Sequence, residues 1–126
     1  QEMTLYVALK EGVYKWDAVN NVLTPVVSGD HRAEFGRQDF VETAPVIITI
    51  VADYSKYNEM TAEQKEFYAG IDAGYISQNI YLFCASEKMA TVVLGSVNKP
   101  EVGKLLKLGD KEKVTVSQPV GYPGAE

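Results

Sequence analysis

One long helical pattern constrains the fold of this 126-residue chain more than any other feature. It starts at Thr61, which with Gln64 has the spacing of an N-terminal capping box. We predict a helix from about Ala62 to Ser86, about 37 Å long, and because apolar residues surround much of its circumference we expect it in the core. Two rows recur at helical spacing: Phe67, Ile71, Tyr75, Gln78 and Leu82, and beside them Tyr68, Ile76, Ile80 and Phe83.

The first part of the chain has the pattern of a strand meander. Leu5–Lys10 and Val13–Asp17 are short β-prone runs separated by a Glu-Gly pair, which predicts a hairpin because glycine permits a tight turn. Two asparagines then signal another turn before Val22–Val27. Pro25 interrupts that run, so we expect it to form an edge strand.

The remaining segments complete a mixed pattern. Val46–Ala52 is almost continuously apolar and β-branched, which favours a central strand buried on both faces. Thr91–Leu94 and Lys113–Ser117 predict two further strands, Asn98 a capped second helix, and Gln118–Pro123 a rigid exit. The fold class is therefore α+β, with an antiparallel or mixed sheet packed around a long central helix.

Composition sets further limits on domain number and partners. With 46% hydrophobic residues, the chain has material for a single domain over residues 1–126. Its net charge of −5 makes nucleic acid a poor partner, because neutralising phosphates requires an excess of Lys and Arg. The longest apolar stretch, Ala44 to Ala52, is much shorter than the roughly 20 residues of a membrane span.

Few titratable residues are candidates for chemistry. A single cysteine, Cys84, and a single histidine, His31, exclude an internal disulfide, a cysteine zinc cluster and a multi-histidine metal site. We interpret Cys84 as core packing and His31 as a solvated loop residue. Asp53 follows a buried strand, where ligands often meet a sheet, but we interpret it as a strand terminator. Asp72 is either a buried, paired carboxylate or part of a solvated helix face.

Four segments, in their order and spacing, resemble the nitroreductase family. The likeness is closer to the subgroup related to the azoline-forming dehydrogenases of peptide toxins, and the hairpin and the ending Val-Gly-Tyr-Pro are typical of that subgroup. The four segments are Gln1–Leu9, Ala44–Asp53, Asp72–Leu82 and Met89–Leu108. The resemblance covers nearly the whole chain.

The resemblance implies a flavoprotein. Members of the family are homodimers that hold FMN at the subunit interface and work by ping-pong chemistry. NAD(P)H reduces the flavin, and a small-molecule acceptor such as a nitroaromatic or a quinone reoxidises it, while the protein positions and tunes the cofactor. The alternative is a flavin-free, shortened core that acts only as a dimeric or binding module.

The resemblance also indicates cofactor-binding residues, although it assigns no catalytic residue. Of the family's Pro-Ser-x-x-Asn-x-Gln segment along the flavin, this chain has only the last residue, as Gln1. The family's turn that aims a backbone N–H at flavin N5 corresponds to Val93, Leu94, Gly95 and Ser96. A glycine there lets the ring approach closely, whereas the plainer interpretation of Gly95 is a residue that ends a strand.

Other parts of the family pattern are missing from this sequence. We expect that an N-terminal segment precedes Gln1, and that it holds the Arg-rich stretch that grips the FMN phosphate. Any targeting signal would also lie there, so the location is unknown and cytoplasmic only by default. An FMN phosphate requires Arg, Lys or helix-end donors, and the spacing of Arg32 and Arg37 offers a weak substitute.

Overall fold

The computed structural model describes residues 2–124, which form a six-stranded antiparallel sheet with a long helix on one face. Its strands are β1 (Met3–Leu9), β2 (Gly12–Asp17), β3 (Val22–Ser28), β4 (Val46–Asp53), β5 (Ala90–Thr91) and β6 (Glu112–Gly121). The helices are α1 (Ala62–Ser86) and α2 (Lys99–Leu105), with 3-10 turns at Arg32–Phe35, Asp39–Glu42 and Tyr54–Lys56. The strand order is β3-β2-β1-β4-β6-β5, and every strand pair is antiparallel. The predicted α+β class is confirmed.

The strand meander forms as predicted. β1 and β2 pair as a hairpin, and β3 forms the edge of the sheet, where Pro25 lies opposite Tyr14. An edge position tolerates proline because one side of the strand needs no ladder partner. Asn21 turns the chain between β2 and β3 with a φ of 57°, a conformation that asparagine adopts more readily than most residues.

β4 is the central strand that its apolar sequence predicted. It pairs with β1 on one side and with β6 on the other, and Ile47, Ile50 and Val51 are fully buried. Successive side chains of a strand point to opposite faces, so burial of these neighbours requires cover on both sides of the sheet.

The last strand is longer than its sequence predicted. The expected rigid exit at Gln118–Pro123 is wrong for its first four residues, since β6 continues to Gly121. Pro119 pairs with Ile47 at a point where β6 borders only the two-residue β5, so a proline can be accommodated.

The long helix has the predicted bounds, but it is less buried than predicted. Thr61 and Gln64 form the complete capping box, and the helix extends for 25 residues. The expectation that the helix lies in the core is wrong for its first apolar row, because Phe67 is 63% exposed and Tyr75 is 70% exposed, whereas Ile76 and Ile80 of the second row are half-buried. The side that meets the sheet instead carries small buried residues: Ala69, Ala73, Ser77 and Cys84. Helical spacing groups residues on a face, but it does not determine which face meets the sheet.

The main hydrophobic core lies on the face of the sheet opposite α1. There Ile47 and Val51 of β4 pack with Phe35 from the first 3-10 turn and with Val102 of α2. A smaller cluster on the α1 side contains Ala52, Tyr57 and Ala69. The Val93–Ser96 segment lies in the connection from β5 to α2, and its Leu94 belongs to the main core.

Candidate functional site

The segment Val93–Ser96, which we call the Gly95 turn, is held by hydrogen bonds from two sides. The N–H of Val93 donates to the hydroxyl oxygen of Tyr81 on α1, at 2.8 Å. Leu94 forms an isolated bridge with Ser117 of β6, with N···O distances of 2.7 and 3.1 Å. Leu94 is buried in the main core, whereas Gly95 and Ser96 are exposed. The turn is therefore anchored at its start and open at its tip.

The tip of the Gly95 turn offers unused backbone donors. Within residues 2–124, neither the N–H of Gly95 nor that of Ser96 donates a hydrogen bond. The Gly95 carbonyl accepts from the N–H of Val97 at 3.0 Å. A Cβ at Gly95 would meet nothing within 4 Å, and its φ lies outside the left-handed region. The tip can thus receive the edge of a flat ligand that carries hydrogen-bond acceptors.

A buried pair of hydroxyls supports the turn from within the sheet. Thr49 of β4 and Ser117 of β6 are completely buried, and their hydroxyl oxygens are 2.9 Å apart. Because each hydroxyl can satisfy the other, neither is left as an unpaired polar group in the core. The pair fixes β4 against β6 at the residue that also bridges to Leu94.

The other predicted contact, Gln1, lies outside the described residues. The first strand starts at Met3, whose partner is Ala52 at the carboxyl end of β4. The structure therefore brings Val93, Leu94, Gly95 and Ser96 together and does not place Gln1 relative to them.

The two aspartates have structural partners. Asp53 accepts from the N–H and the hydroxyl of Ser55, at 3.0 and 2.6 Å, and these bonds lower the pKa of its carboxyl. This geometry agrees with a strand terminator. Asp72 is half-buried and accepts from the hydroxyl of Tyr57 at 2.6 Å. Burial, followed by this hydrogen bond, raises the pKa of Tyr57. Asp72 is therefore the paired carboxylate of the two alternatives.

Cys84 and His31 do not form a catalytic couple. Cys84 is 1% exposed on the sheet side of α1, and burial raises the pKa of its thiol, which disfavours the reactive thiolate. His31 lies in the loop after β3, where its ring nitrogens are each 2.9 Å from an acceptor, Glu34 Oε2 and the Ser28 carbonyl. Both interpretations from the sequence agree with the structure.

Arg32 is already occupied by neighbouring residues. Its guanidinium donates to both carboxylate oxygens of Asp30 and to the Ala44 carbonyl, each at 2.9 Å. The side chain is only 11% exposed. It is therefore a poor candidate for the phosphate contact that we considered for Arg32 and Arg37.

Two grooves border α1, and neither includes the Gly95 turn. An apolar groove of about 500 Å³ separates the second half of α1 from the sheet. A second groove of about 810 Å³ lies between the first half of α1 and α2 and contains both lysines and glutamates. The apolar groove is lined by Leu5, Val46, Ile48, Ile76, Asn79, Ile80, Phe83, Cys84, Met89 and Val120.

Two features of this region are not predicted by the sequence. Tyr81 is four residues after the buried Ser77, a spacing that places both on one side of α1, but spacing alone did not identify its partner Val93. The apolar groove was missed because its residues were assigned to a closed core.

In the described part of the chain, no helix is long and apolar enough to cross a membrane.

Comparison with known proteins agrees with the resemblance noted in the sequence. The family model described as the nitroreductase family matches residues 5–122. A Methanocaldococcus jannaschii protein named as a nitroreductase is 27% identical over 119 residues, which are 91% of this chain and 59% of that protein. A crystal structure named as a nitroreductase from Ralstonia eutropha JMP134 superposes with a TM-score of 0.91 at 32% identity, covering 100% of this chain and 60% of that one. The chain thus spans about 60% of the length of these relatives.

More distant structures share the fold. A chain of the E. coli microcin synthetase McbBCD complex has a TM-score of 0.79 at 13% identity, covering 98% of this chain and 53% of that chain. The NADPH:FMN oxidoreductase from Vibrio harveyi, complexed with NAD⁺, has a TM-score of 0.71 at 21% identity, with coverage of 99% and 52%. At these identities the likeness establishes the architecture of the sheet and the long helix.

Proposed function

Since the chain belongs to the nitroreductase family, we propose that it forms part of an FMN-dependent oxidoreductase. The protein uses NAD(P)H to reduce a nitroaromatic, quinone or similar small acceptor by ping-pong hydride transfer. When bound, FMN would supply this redox chemistry, since a flavin ring can alternate between an oxidised and a reduced form. The contribution of this chain is to hold and orient the ring.

The observation that carries the proposal is the open tip of the Gly95 turn. The N–H groups of Gly95 and Ser96 have no partner within residues 2–124, and a Cβ at Gly95 would meet no atom within 4 Å. Flavin presents acceptor atoms along one edge of its flat ring, including N5. We propose that the N–H groups of Gly95 and Ser96 donate to this edge and that Val93 and Leu94 support the ring. Fixed backbone dipoles of this kind favour charge that develops during reaction.

The described residues fit the flavin ring better than its phosphate. Arg32 is bonded to Asp30 and Ala44, so it is not free to clamp an anion. Phosphate recognition relies on charge-assisted hydrogen bonds, most often from arginine. We therefore propose that the phosphate contacts come from residues other than Arg32, and we keep Gln1 as a proposed flavin contact.

We also propose that the protein is a homodimer formed through α1. The side of α1 that faces away from the sheet exposes large apolar residues, and an exposed apolar surface of this kind commonly marks an interface. The exposed residues are Phe67, Tyr68, Ile71, Tyr75 and Leu82.

A second candidate function is that of a flavin-free module. The observation that favours it is the same engagement of Arg32, whose guanidinium is bonded to Asp30 and Ala44 and not free to bind a phosphate. In that case the apolar side of α1 and the apolar groove serve binding alone.

The experiment that separates the two candidates is an FMN titration of two forms. The first is residues 1–126, and the second is a natural form extended upstream of Gln1. Fluorescence quenching of FMN measures binding, and oxidation of NADH or NADPH with a quinone acceptor measures turnover. The proposed function requires tight binding and turnover by the extended form, with weaker binding by residues 1–126. If neither form binds FMN, the flavin-free module is the better account.

A further inference from the structure

We propose that Tyr81 is a positioning residue for the Gly95 turn, a role that rests on the proposed flavin function. Its hydroxyl oxygen accepts from the N–H of Val93 at 2.8 Å, two residues before Gly95, whose N–H is one of the two proposed flavin donors. Neither Tyr81 nor any other residue of α1 belongs to the flavin contacts proposed above.

The position of Tyr81 makes its hydroxyl a fixed reference point. It lies in the second half of α1, a 25-residue helix. The Tyr81 side chain is half-buried, and Ser77, one turn earlier, is hydrogen-bonded to the buried Gln118 of β6. Burial and this neighbouring contact restrict where the phenol can move.

The chain between β5 and Leu94 has few other restraints. β5 ends at Thr91, and the next ladder contact is the bridge from Leu94 to Ser117. Within residues 2–124, the bond to Tyr81 is the only hydrogen bond made by the backbone of Val92 or Val93. Leu94 is therefore fixed by the sheet, whereas the direction from which the chain enters the turn depends on Tyr81.

The consequence for the ligand is geometric. Hydrogen bonds weaken steeply as the donor angle departs from linearity, so a rotation of the peptide planes near Val93 would misalign the N–H groups at the tip. A functional group must be held to within about 0.5 Å and 10–20° of its productive geometry, which requires support from outside the ligand contacts. Tyr81 provides that support without touching the ligand.

The test compares Tyr81→Phe, which removes only the accepting oxygen, with Tyr14→Phe as a control. The hydroxyl of Tyr14 makes no hydrogen bond within residues 2–124. The first measurement is amide hydrogen exchange of the flavin-free chain. In Tyr81→Phe we expect the Val93 amide to exchange about tenfold faster, since its acceptor is lost, and the signals of Gly95 and Ser96 to shift.

The second measurement uses the flavin-binding form of the protein. For Tyr81→Phe we expect FMN to bind about fivefold more weakly, the midpoint potential of the bound flavin to fall, and its absorption spectrum to change. Tyr14→Phe should match the wild type in all three. A merely structural Tyr81 would alter thermal stability without moving the potential of the flavin that remains bound.

The outcomes distinguish this inference from the proposed function. Suppose that the wild type binds FMN. If Tyr81→Phe then shows unchanged exchange at Val93, or unchanged FMN affinity and flavin potential, the role of Tyr81 alone is overturned. A wild type that binds no FMN rejects the proposed function, and with it the flavin role of Tyr81, even where the exchange data show the tether.

Discussion

The hydroxyl of Ser77 on α1 donates a 2.8 Å hydrogen bond to Oε1 of Gln118 on β6, and both side chains are buried. This neutral pair joins the long helix to β6, the strand beside the central β4. The amide nitrogen of Gln118 is completely buried and has no partner within residues 2–124. The hydrogen-bonding groups of the Gln118 side chain are therefore only partly satisfied, and the bond from Ser77 is the one that this side chain makes within residues 2–124.

Removing that bond should destabilise the protein. In Ser77→Ala the buried Gln118 amide loses its only partner, and we expect the free energy of unfolding to fall by about 1–3 kcal/mol. Ser86→Ala is the control, because the Ser86 hydroxyl donates to the Phe83 carbonyl at the exposed end of the same helix. It should change stability by less than about 0.5 kcal/mol. Urea unfolding followed by circular dichroism measures both, and equal effects would contradict the assignment.

Tyr6 should make the protein less stable at alkaline pH. Burial, with a smaller contribution from Glu112, raises the pKa of Tyr6 from 10.0 to about 12. Above pH 10 the unfolded chain releases this proton while the folded chain retains it, so the free energy of unfolding falls between pH 10 and 12. We expect Tyr6→Phe to reduce this decline by about 2 kcal/mol. Denaturant unfolding across this range tests it, with Tyr122→Phe, at an exposed position, as the variant that should retain the wild-type slope.

His31 should contribute stability at acidic pH. Both of its partners, Glu34 and the Ser28 carbonyl, only accept, so the doubly protonated ring satisfies them together. The bond to Glu34 is the main reason that the pKa of His31 lies above 6.5. The contribution is present below pH 6.5 and is lost as the pH rises through the folded-state pKa. We expect less than about 1 kcal/mol, because the pair is near the surface.

The measurement for His31 is the pH dependence of unfolding for the wild type and His31→Gln. The chain has one histidine, so a difference between the two profiles near neutral pH is attributable to this ring. Glu34→Gln should lower the pKa of His31 as followed by NMR. Identical profiles for wild type and His31→Gln would show that the folded state gains nothing from the charged ring.

Association through α1 can be tested by placing a charge on its apolar side. Tyr75→Asp puts a carboxylate on this surface, and we expect the dimer dissociation constant to rise more than about tenfold. Val19→Asp is the matched control, since Val19 is 92% exposed on the turn between β2 and β3. Sedimentation velocity at several concentrations follows both variants. A wild type that is monomeric throughout would reject the homodimer itself.

The sequence predicted those elements whose signals are local. The capping box at Thr61 determined the start of α1, and Pro25 indicated an edge strand, because each effect depends on a few neighbouring residues. The burial of α1 was predicted wrongly because large apolar residues such as Tyr75 suggested the core side. In the fold, small residues such as Ala73 are buried against the sheet, whereas Phe67 and Tyr75 are exposed, and Ile76 and Ile80 are half-buried beside the apolar groove.

The candidate site was predictable in part. The Gly95 turn was proposed through the family resemblance, which includes a glycine at the end of an apolar run. Tyr81 was not, because its contact with Val93 depends on how α1 packs beside β5, which sequence spacing does not specify. Likewise, the hydrogen bond from Arg32 to the Ala44 carbonyl could be identified only in the folded chain, since the two residues are 12 positions apart.

The sharpest test of the proposed flavin contact is Gly95→Ala. A Cβ at this position meets no atom of the chain within 4 Å, and the backbone is not left-handed, so we expect the thermal midpoint to stay close to that of the wild type. The methyl group would instead project toward the space proposed for the flavin ring. In the flavin-binding form, FMN affinity should therefore fall by about tenfold or more, and the reductase rate should fall with it. Gly121→Ala gives the opposite pattern, since its Cβ would lie 2.9 Å from the Pro45 ring and strain the fold away from the turn. If Gly95→Ala left both affinity and rate unchanged, Gly95 would be only the residue that ends a strand.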